Sequence, residues 1–252
     1  MGFNRKDSFS ILGIAVMVAP ALALAATHVL SGWLEELGDG AAAGMCIGVR
    51  GEGLDLWKFR SISYDPADDV AFISLELTSP VSEDWCFSTL ALTTRCPAEG
   101  EELTIVGFRF NDSGDFPADG SQPSPALGDL FAAKGTVSQV FPTGQDLVMV
   151  PFPAIEIQCG SRGAMSGGAV IDRDGLVLGV ISTGWDTEDG EGPSVASWIV
   201  CGALGRTLDV PWPPGAYPEQ VPVMEIPEAA LRIVGRDAVN IDGNEMRYRI
   251  WY

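Results

Sequence analysis

The stretch Ile11-Leu-Gly-Ile-Ala-Val-Met-Val-Ala-Pro20-Ala-Leu-Ala-Leu-Ala-Ala-Thr-His28-Val-Leu30 decides how the rest of the chain is read. It sits in a run of 27 residues, Ser8 to Leu34, without a formal charge. Arg5 and Lys6 precede it, and Ala23-Leu24-Ala25 has a small-x-small form. A basic start, an apolar centre and small residues at the exit are the marks of a secretory signal peptide. The length would also suffice to cross a bilayer. Three features oppose both readings. Asp7 separates the basic pair from the apolar run, and Pro20 would cost a helix a backbone bond at its middle. Cleavage after Ala25 or Ala26 would strand His28, the single histidine of the chain, close to a free and poorly ordered end. Read as β structure, the same residues give buried strands at Ser10–Val18 and Leu22–Ala25, joined by a turn at Ala19-Pro20-Ala21. Continuous apolar runs between turn signals fit that pattern.

The composition narrows the class. A chain of 252 residues suits one large or two small domains, and its 46% hydrophobic content excludes global disorder. Thirty Gly and 17 Pro among short apolar runs point to an all-β chain rich in turns. Against 34 Asp and Glu stand only 15 Lys and Arg, a net charge of −19. Phosphate contacts need clustered cations, so no nucleic-acid partner is expected. The acids fall mainly beyond residue 60 and read as a solvated surface. One His and five Cys without a CxxC pair leave no zinc site, and neither a metal nor a cofactor is expected. Cys86 and Cys96 could bridge locally, but five thiols without a framework better fit a reducing compartment. The expected location is therefore cytoplasmic and off the membrane, with secretion the alternative if residues 1–26 are a signal peptide.

The strongest local signal is Cys159-Gly-Ser-Arg-Gly-Ala-Met-Ser166-Gly-Gly-Ala-Val170. A Ser followed by two Gly and an apolar strand puts a hydroxyl on a tight turn that another chain can approach closely. A hairpin with an Asp172-Arg-Asp-Gly175 corner follows. By itself this is equally a plain glycine-rich hairpin entry. A nucleophilic Ser needs a base, and the base an orienting carboxylate. His28 is the one imidazole present. Asp69, which opens the strand-like run Val70-Ala-Phe-Ile-Ser-Leu-Glu-Leu77, is the candidate carboxylate.

In the order His, Asp, Ser these segments resemble the trypsin-like (chymotrypsin-fold) serine endopeptidases. The resemblance rests on Leu24-Ala-Ala-Thr-His28-Val, Asp69-Val-Ala-Phe-Ile, Met165-Ser166-Gly-Gly-Ala-Val and Leu178-Gly-Val-Ile-Ser-Thr-Gly184, and it covers roughly residues 8–208. It implies two six-stranded antiparallel β-barrels packed together with the active site between them. It further implies that His28 is the general base, that Asp69 orients it, and that Ser166 attacks the scissile carbonyl. The backbone N–H groups of Ala164 and Ser166 would hold the oxyanion. Ser182 would support Asp69, and Thr183 and Gly184 would pair with an extended substrate. Gly160 would lie at the base of the primary pocket. With no acid there, a neutral or apolar side chain is the expected preference.

The chain also departs from the family pattern. Ala164 stands where Gly is usual, Met165 cannot pair with a newly cut terminal amine, and Val29 replaces a frequent Cys. A catalytically weak module that binds peptides or partners is therefore the alternative function. The sequence divides into a first barrel at 1–110, a turn-rich connection at 111–128, a second barrel at 129–208 and a tail at 209–252. Strands are expected at Ala133–Phe141, Asp146–Val150, Ala169–Asp172, Leu176–Thr183 and Ser194–Val200, and a helix over Val29–Leu37. Six prolines keep 211–227 extended. The tail ends in a small β unit that either straps the barrel or docks a regulatory protein.

Overall fold

The computed structural model describes residues 1–5, 8–50, 53–65, 67–81, 85–86, 88–110, 116–117, 128–160, 165–187, 190–198, 203–209, 213, 215–242 and 245–248. The chain opens with β1 (Gly2–Arg5), β2 (Ser8–Ile11), β3 (Ala15–Ala19) and β4 (Leu22–Ala26). Two short helices follow, α1 (Thr27–Ser31) and α2 (Leu34–Asp39), and then β5 (Ala43–Arg50), β6 (Gly53–Tyr64) and β7 (Val70–Leu77). Next come β8 (Leu92–Thr93), β9 (Glu102–Phe110), β10 (Phe116–Pro117), β11 (Gly128–Phe141) and β12 (Ala154–Gly160). The last long strands are β13 (Ala169–Ile171), β14 (Val177–Thr187) and β15 (Gly190–Trp198). Short pieces complete the chain: β16 (Thr207–Leu208), β17 (Val221–Pro222), β18 (Ile233–Val234) and the hairpin β19 (Val239–Asp242) with β20 (Glu245–Tyr248). The protein is mostly β.

The opening stretch is strand. The expected Ser10–Val18 strand is bent: β2 pairs with β1, residues 12–14 turn the corner, and β3 pairs with β4. Ala21 takes a φ of 57° in the turn. All five residues of β4 are buried, because its two faces serve two cores. Leu22 and Leu24 join one cluster, and Ala23 and Ala25 the other. The neighbouring β7 alternates likewise, Val70 and Phe72 against Ala71, Ile73 and Leu75. A run that is apolar at every position is thus a strand covered on both sides. No helix among the described residues is long and apolar enough to cross a membrane.

The strands form two large sheets, antiparallel except where β8 pairs parallel with β14 and β18. The first runs β10-β2-β1-β5-β6-β7-β4-β3. In the second, β13-β9-β11-β12-β15-β14 closes into a ring through the β13–β14 pairing, and β8 and β18 add on beside β14. One apolar core fills the first sheet around Phe3, Leu30, Trp57 and Ile73. Another fills the second around Ile105, Ile157, Leu178 and Ile181. The third lies where the sheets meet, and residues beyond β15 (Leu204, Tyr217, Val223, Leu231) supply much of it.

Several expectations need correction. The strand Glu102–Phe110, expected in the first barrel, pairs with β11 and β13 in the second sheet, while Phe116–Pro117 returns to pair with β2 in the first. The helix over Val29–Leu37 is two helices separated near Gly32 and Trp33, the second ending at Gly40 with a φ of 79°. No strand forms at Asp146–Val150: Asp146 Oδ1 accepts the N–H groups of Val148 and Met149, which keeps them from a ladder. Ala154–Gly160, unread from sequence, is the strand instead. In the proline-rich segment, Val223–Glu225 makes one 3-10 turn. Cys46, Cys86, Cys96 and Cys159 are free thiols, so Cys86 and Cys96 form no bridge. Most of the 111–128 connection, Ala164 and Cys201 lie outside the described residues.

Candidate active site

The site starts from one strand register. In the antiparallel pair β4–β7, Ala26 lies opposite Val70, so the residues just beyond that pair meet off the ends of the two strands. The Thr27 N–H donates to the Asp69 carbonyl oxygen at 3.2 Å, and α1 begins at once. His28 therefore stands in the first turn of α1 with Asp69 beside it. The His28 backbone N–H donates to Asp69 Oδ1 at 2.8 Å. Ring Nδ1 lies 3.0 Å from Oδ1 and 2.8 Å from Oδ2. Asp69 is only 5% exposed, and a buried anion of this kind is tolerable only when its lone pairs are engaged. Ser182 completes the set: its hydroxyl donates to Asp69 Oδ2 at 2.5 Å.

Ser166 arrives from the second sheet. Its turn is fixed by Gly167 N–H to the Ile181 carbonyl at 2.8 Å and Gly168 N–H to the Met165 carbonyl at 2.9 Å. Gly167 has a φ of 87°, and a Cβ there would lie 2.2 Å from the Ile14 carbonyl oxygen. The Ile14 N–H in turn donates to the Ser166 carbonyl at 2.9 Å. The corner of the opening stretch is thus the seat on which the Ser166 turn rests. The Ser166 hydroxyl donates to the Ser182 carbonyl oxygen at 3.3 Å, and no hydrogen bond joins it to the His28 ring.

A cavity of about 620 Å³ opens beside these groups, lined by His28, Asp69, Met149, Phe152, Ser182 and Thr183. The His28 side chain is 47% exposed. Thr183 and Gly184 lie on β14, opposite Val195 and Ser194 of β15. Gly160 ends β12, opposite Pro193. Of the residues singled out from sequence, His28, Asp69 and Ser182 are in direct contact, Ser166 is joined to them through Ser182, and Ala164 is outside the described residues.

Sequence reasoning missed two features. Val148 and Met149 reach the cavity from a loop expected to be a strand. The other is Arg206, whose guanidinium donates to Asp68 Oδ2 at 2.8 Å, the Val70 carbonyl at 2.6 Å and the Ser63 carbonyl at 3.0 Å. No local motif marks it, since its partners lie more than 130 residues upstream. Burial pushes the Asp68 carboxyl above the usual carboxylate range, against the pull of Arg206 and the Val70 N–H.

Comparison with known proteins gives the family and the fold. Residues 13–180 match the family described as the trypsin-like peptidase domain. No curated protein matches the sequence. Among solved structures, Deg5 is similar at 16% identity and a TM-score of 0.51, over 79% of this chain and 82% of that one. The active form of the Rv3671c protease from M. tuberculosis is similar at 17% identity and a TM-score of 0.50, over 74% and 68% of the two chains. The HtrA-type protease AlgW with a tripeptide is similar at 17% identity and a TM-score of 0.51, over 76% and 55%. At such identities the likeness is one of fold.

Proposed function

The chain belongs to the trypsin-like peptidase domain family, and from that premise we propose that it is a serine endopeptidase whose triad is His28, Asp69 and Ser166. The observation that carries this reading is the contact of the His28 ring with the buried Asp69 carboxylate, which also accepts the hydroxyl of Ser182, 113 positions away in sequence.

In the proposed reaction Asp69 holds the Nδ1 proton, which leaves Nε2 free as the base. The Ser166 hydroxyl rotates from the Ser182 carbonyl to His28, gives up its proton and attacks the substrate carbonyl carbon. The tetrahedral oxyanion is held by the N–H groups of Ser166 and Ala164. His28 then protonates the leaving amine, the C–N bond breaks and an acyl-enzyme remains. Water, deprotonated by His28, hydrolyses that ester and returns Ser166 to its starting state. The substrate is a protein or peptide lying extended along Thr183 and Gly184 with a side chain toward Gly160. AlgW, of similar fold, is recorded with a tripeptide.

The two sheets are read as two six-stranded barrels. In the second, the six-membered ring supports this. In the first, the support is the bent β2–β3 segment, which pairs with β1 at one end and β4 at the other and so returns the ladder on itself. The first barrel then extends to about residue 77, the second from about 92 to 198, and the tail is a strap. Residues 1–26 are read as kept in the folded protein, since their removal would take four strands out of the first sheet, and a cytoplasmic location is proposed beside that reading. Intact mass of the natural protein tests it.

A second reading, a peptide-binding module with weak catalysis, is favoured by the Ser166 hydroxyl turned toward Ser182 and by Ala164. A fluorophosphonate probe separates the two: an active enzyme is labelled at Ser166, and a binding module is not.

A further inference from the structure

We propose that Arg206 is a positioning residue for Asp69, through which the C-terminal strap sets the His28–Asp69 geometry. The proposal rests on the triad reading above and concerns how that same site is held.

Arg206 follows the 3-10 turn Ala203–Gly205 and precedes β16. Its guanidinium grips both chain neighbours of Asp69: the Asp68 carboxylate on one side and the Val70 carbonyl on the other. Asp68 Oδ1 also accepts the Val70 N–H at 2.9 Å, so Asp68, Val70 and Arg206 close a loop of hydrogen bonds around the Asp69 backbone. A third bond, to the Ser63 carbonyl, ties β6 to the same head group. The side chains are 11% exposed at Arg206 and 14% at Asp68. A planar fork with donors along two edges can serve three acceptors at once, and a lysine ammonium cannot keep that geometry.

The strap itself is anchored. The Val223 N–H donates to the Arg206 carbonyl at 2.9 Å, the Asp209 N–H to Ser63 Oγ at 3.3 Å, and the Tyr217 hydroxyl to the Pro20 carbonyl at 2.5 Å. Leu204, Leu208, Val223 and Leu231 pack in the same core as Leu22, Leu24, Val70 and Phe72. The strap therefore seats on β4 and β7, the two strands that present His28 and Asp69. Loss of the guanidinium leaves the Asp68 carboxylate buried without its cation. It then protonates or turns outward, frees the Val70 N–H, and lets Asp69 drift. Small displacements of an orienting group are costly to rate.

The test compares Arg206→Met and Arg206→Lys with the unaltered chain at a temperature where melting curves show all to be folded. Two readouts are taken. One is the low-field proton resonance of the His28 Nδ1–H, which is unambiguous because the chain has one histidine. The other is the rate of fluorophosphonate labelling. Arg206→Met is expected to lose or shift the resonance and to slow labelling about 10–100-fold, with Arg206→Lys between it and the unaltered protein. A folded Arg206→Met with an unmoved resonance overturns the proposal, whatever its labelling rate. Where Arg206→Met does not fold, the isosteric Asp68→Asn takes its place, with the same expected and overturning results. If the unaltered protein is never labelled, the endopeptidase reading fails, and the resonance comparison still decides the role of Arg206.

Discussion

The Asp69 carboxylate engages His28 twice, accepting its backbone N–H at 2.8 Å and facing ring Nδ1 at 2.8 and 3.0 Å. An ionised carboxylate only accepts, so in a neutral ring this contact favours the tautomer with the proton on Nδ1 and the lone pair on Nε2. Asp69→Asn puts an NH₂ donor in this place and favours the opposite tautomer. The variant is expected to fold and to react with fluorophosphonate about 10³–10⁴-fold more slowly. A labelling rate within tenfold of the unaltered protein would count against the assignment.

Gly167→Ala is expected to disable the site through the backbone. At a φ of 87°, with a Cβ 2.2 Å from the Ile14 carbonyl oxygen, the turn that carries Ser166 must move or the corner at residues 12–14 must give. Both a lower melting temperature and loss of labelling should follow. Unchanged melting and labelling would show that the seat is looser than described.

Tyr217→Phe removes a hydroxyl that donates to the Pro20 carbonyl at 2.5 Å and leaves that acceptor without its partner. The expected loss is about 1–2 kcal/mol, or about 2–8 °C in Tm for a chain of this length. Denaturant or thermal unfolding reads it directly. No loss of stability would mean that water replaces the hydroxyl at no cost.

Alkaline pH should weaken the fold. Burial raises Tyr217 to about 12, and burial likewise raises Cys96 to about 11, against the neighbouring Arg95. The folded state then holds protons that the unfolded state has released. The stability these groups contribute is fully present below about pH 9, where the unfolded thiol begins to ionise, and is lost as pH rises toward 11 and 12. Unfolding free energy measured between pH 8 and pH 12 should fall more steeply in the unaltered protein than in a Cys96→Ser, Tyr217→Phe double variant. Equal slopes would remove these groups as the cause.

The thiols should also differ in reactivity. Cys86 is exposed, whereas burial raises the pKa of Cys46 and Cys96 and suppresses their thiolates. Near pH 8, iodoacetamide should modify Cys86 first and reach Cys46 and Cys96 only on unfolding. Peptide mapping by mass gives the order, and early labelling of Cys96 would contradict its burial.

His28, Asp69 and Ser182, which the structure brings into contact, each lie within a short local pattern, as does the proposed nucleophile Ser166. The strand character of residues 15–26 was legible for a related reason, since a strand covered on both faces must be apolar at every position. Its bend at residues 12–14 was not, because pairing partners rather than local residues set it. The loop at 146–150 deceived because Leu147, Val148, Met149 and Val150 look like a strand, whereas one Asp146 oxygen takes the N–H groups a ladder would need. Arg206 and the contacts that seat the strap were not legible, for a third reason. Their buried residues occur singly among prolines and turns, and their partners are strands built near the start of the chain.

The most direct measurement is intact mass after fluorophosphonate treatment, on the unaltered protein and on Ser166→Ala. One adduct on the former, located at Ser166, and none on the latter is the expected result. An unaltered protein that takes no adduct, or a Ser166→Ala variant that takes as much, contradicts the assignment of Ser166 as the nucleophile.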